Sequence, residues 1–429
     1  MPSIKPFRAL RPTRESAPEI AALPYDVQDV HESRVIVAAR PHSFLAIDEP
    51  VVNFPEGTDQ YQAAVYEKAG ELMDGLRASE MTVTDDAESF YLYELTMDGR
   101  VLNGLVACVS VDDYLNGIVK KHELTRAAKE EDRVNHVRAC SAQTGPIMLA
   151  YRFDQTLADA YAKAKEGEAL FDFTAEDGVR HRGFAIPSEF TDTVAKCMSE
   201  LGDAYIADGH HRAAAASRIA LERREQRGSD EPTEESDWFL SVLFADTELD
   251  VLPYYRFVND LGDLTIDQLL DELVVRFGAD EVDAANIGGK PFSVTNAPDP
   301  VFAADYLKPR ERGEFIVLAG GRWYRCNLSD EDAGNPADNL DVSKLQRDLL
   351  TPVFGIDDPR RDARIEFIGG IRGLVELERR CADGKGVAIA PFPTGIDELF
   401  AVADANLLMP PKSTWFEPKL RSGLFIHEI

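Results

Sequence analysis

Residues 205–212 read Tyr205-Ile206-Ala207-Asp208-Gly209-His210-His211-Arg212 and run directly into Ala213-Ala214-Ala215-Ala216. The short apolar run up to Asp208 has the length of a strand, and the alanine-rich stretch to about Arg227 has the composition of a helix. Gly209 between them reads as a tight turn, and an acid, two imidazoles and a guanidinium crowd onto it. Backbone N–H groups and the dipole at a helix start favour an anion, and Arg212 can grip phosphate oxygens through paired hydrogen bonds. That is the layout of a phosphate or nucleotide site with the Asp208 carboxylate beside it. A plainer reading stands next to it, in which Asp208 caps the helix and the turn is structural. Adjacent histidines and an arginine are harder to account for by packing.

The rest of the chain sets bounds. Its 429 residues are enough for two or three domains, and 44% hydrophobic with 28% charged residues suits a globular protein. With 76 acidic against 46 basic residues the net charge is −30, which repels a nucleic-acid backbone, so no nucleic-acid partner is expected. The five cysteines, Cys108, Cys140, Cys197, Cys326 and Cys381, are dispersed and form no C-x-x-C pair. That pattern fits reduced thiols in a cytoplasm rather than a zinc site or disulfide scaffold. The first residues lack the apolar region of a signal peptide, and no apolar run reaches the ~18–20 residues that cross a bilayer. A soluble cytoplasmic protein with no membrane contact is expected.

Along the chain, strands are expected at 43–47, 89–95, 101–111, 146–151 and 238–244, with 89–95 and 101–111 joined as a hairpin at Asp98-Gly99. Helices are expected at 59–81 and 127–142, and further helix–strand–helix content at 156–200. Leu23-Pro24-Tyr25-Asp26-Val27 is an extended loop ending in an acid. The acidic stretch 225–237, broken by Gly and Pro, reads as a mobile surface loop. A second domain is expected over 260–429, with helices near 265–276, 343–352, 370–382 and 395–402 and strands near 314–319 and 386–391. The mixture is that of an α/β (α+β mixed) protein.

Other residues carry chemistry. Lys121-His122-Glu123 precedes a helix, and its cation, imidazole and carboxylate could serve as phosphate contact, base and metal ligand respectively, or be a solvated charge cluster. Asp132-Arg133 reads as an ordinary surface pair. Asp208, His210 and His211 make a poor metal cage, because neighbouring histidines point apart. Magnesium held mainly by nucleotide phosphates plus one carboxylate fits better. The P-loop pattern, the G-x-S-x-G elbow and the kinase signatures are missing. Near the end, Lys412, Ser413 and Thr414 present phosphate-type donors in a proline-stiffened segment, either a tail closing over a site or a structural anchor.

Five of these segments, KPFRAL (5–10), LPYDV (23–27), KHELT with EDR (121–125, 131–133), IADGHHR (206–212) and MPPKSTWFEPKL (409–420), resemble in order the family called domain of unknown function 1015. The DGHHR element in turn resembles the nucleotide-binding turn of the ParB/sulfiredoxin superfamily, which includes CTP-binding partition proteins, sulfinic-acid reductases and free-serine kinases. The resemblance implies a ParB/sulfiredoxin-like nucleotide-binding core within 1–259 and a C-terminal α/β domain over 260–429. His210 stands where a sulfinic-acid reductase carries its cysteine, and the chain shows no basic DNA-binding helix, so the serine-kinase branch is the nearest match. Leu124 stands where the family commonly has a polar residue. On that resemblance the chain is expected to transfer a phosphoryl group from ATP or ADP, with Mg2+, to a small hydroxyl metabolite, with free L-serine favoured. The alternative is a nucleotide-binding regulator that hydrolyses slowly or not at all. The expected roles are Glu123 and Asp208 for catalysis, with Asp208 orienting Mg2+. Gly209, His210, His211, Arg212, Lys121, His122 and Lys412 would hold phosphate, and Asp26, Ser413 and Thr414 the substrate.

Overall fold

The apolar run starting at Trp238 becomes a central strand whose next seven residues are buried, which requires neighbours on both edges and cover on both faces. The computed structural model, which describes residues 2–282, 292–297 and 299–429, supplies both. Two compact units are present, Met1–Leu249 with Pro418–Ile429, and Asp250–Glu417.

The first unit is built on a nine-stranded mixed sheet. Its strands are β1 (Ile4–Lys5), β2 (Tyr91–Met97), β3 (Arg100–Ser110), β4 (Val119–Lys120), β5 (Ile147–Tyr151), β6 (Phe171–Thr174), β7 (Arg180–Ala185), β8 (Ala204–Asp208) and β9 (Trp238–Ala245). They lie in the order β4-β8-β5-β9-β3-β2-β7-β6, with β1 added to β3. Only β4–β8 and β5–β9 are parallel pairs among them. The β2–β3 hairpin turns at Asp98 and Gly99, with φ of 51° and 79°. Two consecutive positive values match the right-handed twist of the flanking strands, as the Asp-Gly pair implies.

Two helices position the candidate site. α1 (Ala127–Cys140) lies against α2 (His210–Arg227), and α2 also lies on the sheet. Ala213, Ala216 and Ala220 of α2 join Leu149, Ile206 and Leu243 in the main core. On another face, Ala215 and Ile219 meet Val134 of α1. A helix packed on two faces at close range needs small side chains there, which is what the alanine run provides.

Several expectations change. Residues 43–47 do not form a strand: Leu45–Asp48 is a short helix with all four residues buried. A short buried apolar run has no periodicity that separates strand from helix. Val30–Ala39 is an unexpected helix, closed by a capping box between Asp29 and Glu32 that was present in the sequence as D-x-x-E. The stretch 225–237 is not simply a surface loop. Helix α2 continues to Arg227, and Asp237 is fully buried, bridging Arg224 (2.6 Å) and Arg227 (2.9 Å). The division between units falls before 259/260, because Tyr254–Val258 already belongs to the second sheet. The last residues return to the first unit, where Leu424, Phe425 and Ile426 are buried and His427–Glu428 pairs with Ala142–Gln143.

The second unit holds an antiparallel six-stranded sheet of β10 (Tyr254–Val258), β11 (Asp280–Glu281), β12 (Glu314–Ala319), β13 (Arg322–Asn327), β14 (Ile365–Gly369) and β15 (Val387–Pro391), ordered β11-β13-β12-β15-β10-β14. Its faces alternate cleanly. Val258, Val317 and Ile389 pack with Leu269, Leu273 and Leu349 on one side, and Tyr255, Phe257 and Ala388 with Leu374 and Leu377 on the other. Helices at Ile266–Phe277, Gly373–Arg380 and Ile396–Asp404 match the expected positions, and 343–352 falls within a run of short helical segments from Asp341 to Phe354.

Removing Asp237 takes the fully buried partner from two arginines, leaving Arg224, 5% exposed, with Asp112 and Arg227 with Glu234. Asp237→Ala should lower the unfolding free energy by about 3 kcal/mol or more, read by denaturant titration. A change under about 1 kcal/mol, the scale of a surface pair, would show that the buried bridge contributes no more than one.

Candidate functional site

Gly209 ends β8 and starts α2 with φ of 96°, a conformation other residues rarely adopt. A Cβ there would also sit 3.0 Å from Arg212 Nε and 3.2 Å from its Cζ, so the guanidinium folds back over the bare turn. No side chain caps the helix. Asp208 turns away from it, accepting from Lys419 Nζ at 3.2 Å with Arg212 Nη2 at 3.8 Å. Arg212 Nη1 also donates to the Pro146 carbonyl at 2.5 Å. Burial alone would raise the Asp208 carboxyl, but the Lys419 ammonium and the Arg212 guanidinium outweigh it and hold it well below the usual carboxylate range. Asp208 is therefore an anchor for two cations as well as an acid.

The imidazoles point apart, as adjacent positions require. His210 is buried and meets His122 edge-on, with ring centroids 4.5 Å apart. Its Nε2 faces the His122 backbone N–H at 3.5 Å. Burial, then the facing His122 ring, pushes its pKa well down, so it is neutral. His211 Nε2 accepts from the Arg126 N–H at 3.0 Å, which places the proton of its neutral form on Nδ1. Burial lowers its pKa too.

His122 is no member of a solvated charge cluster. It is 3% exposed, its Nδ1 has no hydrogen-bond partner, and burial pushes its pKa down to about 4 against the opposing pull of Asp208. Glu123 is half-buried beside it, while Lys121 is exposed and rests over the Tyr114 ring at 4.8 Å.

Asp132 and Arg133 are not a surface pair either. Both are buried; Arg133 Nη2 donates to Asp132 at 2.9 Å, and its guanidinium lies 3.9 Å from the centroid of the Tyr25 ring. Tyr25, Asp48, Arg133, Thr144, Gly145 and Arg212 border a narrow cavity of about 30 Å³. Tyr25 and Arg133 also border a larger one, about 360 Å³, with Asp26, Gln28, Glu49 and Lys129. Gln28 Nε2 and Glu49 Oε2 are buried without partners. Asp26 is exposed at this edge, close enough to His211 to oppose the fall in its pKa.

The first unit thus assembles residues from four segments, Tyr25 and Asp26, His122, Arg133, and Asp208 to Arg212, and adds Lys419. Sequence reading gave no site role to Tyr25, Arg133 or Lys419, although all three lie inside the LPYDV, EDR and MPPKSTWFEPKL segments. Lys412, Ser413 and Thr414 belong to the second unit. There Lys412 Nζ lies 3.3 Å from Tyr254 Oη and Ser413 Oγ donates to the Pro410 carbonyl at 2.6 Å.

For a metal, the described residues hold no cluster of three metal-type side chains. Asp208 is already neutralised by two cations, so magnesium here would depend on nucleotide phosphates, with Asp208 as one ligand at most.

A mixed α/β protein with a cation-lined turn at a helix start is the class that this geometry defines. Within that class, the family profile DUF1015, described as a protein of unknown function, matches residues 4–343, and the chain belongs to that family. No curated protein matches the chain. Solved structures are similar remotely. A point variant of a free serine kinase in complex with AMP has 15% identity and a TM-score of 0.34, covering 74% of this chain and 92% of that one. SbnI with C-terminal truncation from Staphylococcus aureus has 10% identity and a TM-score of 0.34, covering 73% and 84%. A conserved hypothetical protein from Pyrococcus furiosus has 14% identity and a TM-score of 0.31, covering 74% and 95%. Among the described residues, no helix is long and apolar enough to cross a membrane.

The folded chain keeps the His122 imidazole neutral down to about pH 4, whereas the unfolded chain protonates it near the ordinary value of 6.5. Below pH 6.5 the unfolded state therefore binds the extra proton, and stability falls as pH drops, levelling near pH 4. The span corresponds to roughly 3 kcal/mol. In His122→Asn this part of the pH dependence should vanish, so the difference between the two stability curves should change by that amount between pH 7 and 4; parallel curves over that range would contradict it.

Proposed function

We propose that this protein binds a nucleotide at the Gly209 turn and transfers a phosphoryl group from ATP or ADP to the hydroxyl of a small metabolite, with free L-serine as the favoured acceptor. One observation carries the reading: an eighteen-residue helix, capped by no side chain, opens with His210, His211 and Arg212, and Arg212 shares the Asp208 carboxylate with Lys419. Orphan N–H groups, a helix dipole and a forked guanidinium at one point favour a polyphosphate.

Phosphoryl transfer depends on positioning and charge neutralisation more than on a protein nucleophile. Arg212 and the protons on the two histidine rings hold the phosphates, and His122 walls the turn from below. Glu123 accepts the proton of the attacking hydroxyl, a role that needs a carboxylate within hydrogen-bond reach of the acceptor. The acceptor occupies the cavity of about 360 Å³ edged by Asp26, where Gln28 and Glu49 offer an unused donor and acceptor. Magnesium, arriving with the nucleotide, supplies charge neutralisation on the phosphates.

A second reading is favoured by the state of Asp208. A carboxylate fully engaged by Lys419 and Arg212 suits a binding site that holds nucleotide without turnover, as in a regulator.

Incubation with ATP or ADP, Mg2+ and serine, followed by mass spectrometry for phosphoserine, separates the two; bound nucleotide without product selects the regulator. In the kinase case Glu123→Gln should cut turnover by about 10²-fold or more with nucleotide affinity nearly intact. Equal loss of both would contradict the base assignment. Arg212→Ala should weaken nucleotide binding by at least ~10-fold, and calorimetry showing unchanged affinity would remove Arg212 from the site.

A further inference from the structure

Strand β10 carries an arginine where its sheet face calls for an apolar residue. Arg256 shares that face with Val258, and its cross-strand neighbours are Phe367 on β14 and Ile389 on β15. It is 2% exposed. Its guanidinium lies 5.5 Å from the Phe367 ring centroid, and Nη1 donates to the Tyr254 carbonyl at 2.6 Å. No carboxylate pairs with it among the described residues, and burial alone pushes its pKa down to about 10. A buried guanidinium is ordinarily paired, because leaving a charge uncompensated in a low-dielectric interior costs several kcal/mol. In a chain with 76 acidic and 46 basic side chains, acids were available to fill that position.

A second cation stands nearby. Tyr254, two residues before Arg256 and on the same face, carries Lys412 over its ring at 5.1 Å, with Nζ 3.3 Å from the Tyr254 hydroxyl. Lys412 has φ of 58°, left-handed for a residue with a side chain, in a turn where Ser413 Oγ donates to the Pro410 carbonyl. It too has no carboxylate partner among the described residues. Positions i and i+2 on a strand lie about 7 Å apart on one face, so the residue that carries Lys412 is the immediate same-face neighbour of Arg256.

We propose that Arg256 and Lys412, both in contact with Tyr254, form a site in the second unit for a small oxyanion, a phosphate or a carboxylate. The anion supplies the charge that the sheet face withholds, through charge-assisted hydrogen bonds from the unused guanidinium N–H groups. The site is built entirely from the second unit and does not depend on the nucleotide reading of the Gly209 turn.

The test uses the full chain carrying Arg212→Ala, so that binding at the turn is not what is read. Thermal unfolding is followed against inorganic phosphate and, separately, succinate. One of the two should raise the melting temperature saturably, by about 5 °C at a hundredfold excess over Kd, and which one does so names the oxyanion. Adding Arg256→Met should abolish the shift without lowering the anion-free melting temperature, because it removes a buried unpaired charge. Lys412→Ala, at an exposed turn position, should weaken the apparent affinity ~10-fold and leave the anion-free melting temperature unchanged; it decides the matter if Arg256→Met does not fold. The proposal is overturned if neither anion shifts the Arg212→Ala protein, if the shift survives both further substitutions, or if Arg256→Met destabilises the chain and leaves the anion response intact.

Discussion

The close packing of α2 on two sides is the constraint from which the rest of the first unit follows. Ala213, Ala216 and Ala220 press on the sheet while Ala215 and Ile219 press on α1, so the helix has no freedom to slide or roll without opening one of the two seams. Its first turn is consequently fixed over the end of β8. The sharp reversal at Gly209 then follows, since the chain must leave a buried strand and enter a buried helix within one residue, and a positive φ accomplishes it.

That rigidity makes the local electrostatics unusual for an acidic protein. Two cations gather at the turn, where Lys419 and Arg212 share the Asp208 carboxylate. His122 and His210 are kept neutral by burial rather than charged by proximity to Asp208. Neutral imidazoles can donate and accept hydrogen bonds without adding repulsion to a crowded cationic site. Across the turn, Arg133 is clamped by Asp132 and the Tyr25 ring, so the walls of both cavities are as fixed as the helix itself.

Legibility in the sequence followed the locality of the signal. The Asp98-Gly99 hairpin, the helix after Gly209 and the strand after Trp238 were readable because a turn residue or a sustained pattern announces each within a few positions. The helix at Leu45–Asp48 was misread because four buried residues have no period. Asp132-Arg133 and Asp237 were misread for a different reason. A charged residue on a helix or in a polar loop looks solvated until the distant partner that buries it is known, and those partners, Tyr25 and Arg224 among them, are fixed only by the tertiary fold. Within the candidate site, the turn residues were visible as one cluster, whereas Tyr25, Arg133 and Lys419 come from segments separated by most of the chain.

The return of residues 418–429 to the first unit sets an order of events during synthesis. On the ribosome, domains made first ordinarily fold first. Here the sheet, the turn and the Asp208 carboxylate emerge early, but the ammonium that balances that carboxylate emerges only after the whole of Asp250–Glu417 has been made. Until then Asp208 lacks the Lys419 ammonium and keeps Arg212 as a counter-charge, and the strand Ala142–Gln143 lacks its partner His427–Glu428. The nascent first unit therefore stays incomplete in both charge and strand pairing until residues 418–429 join it.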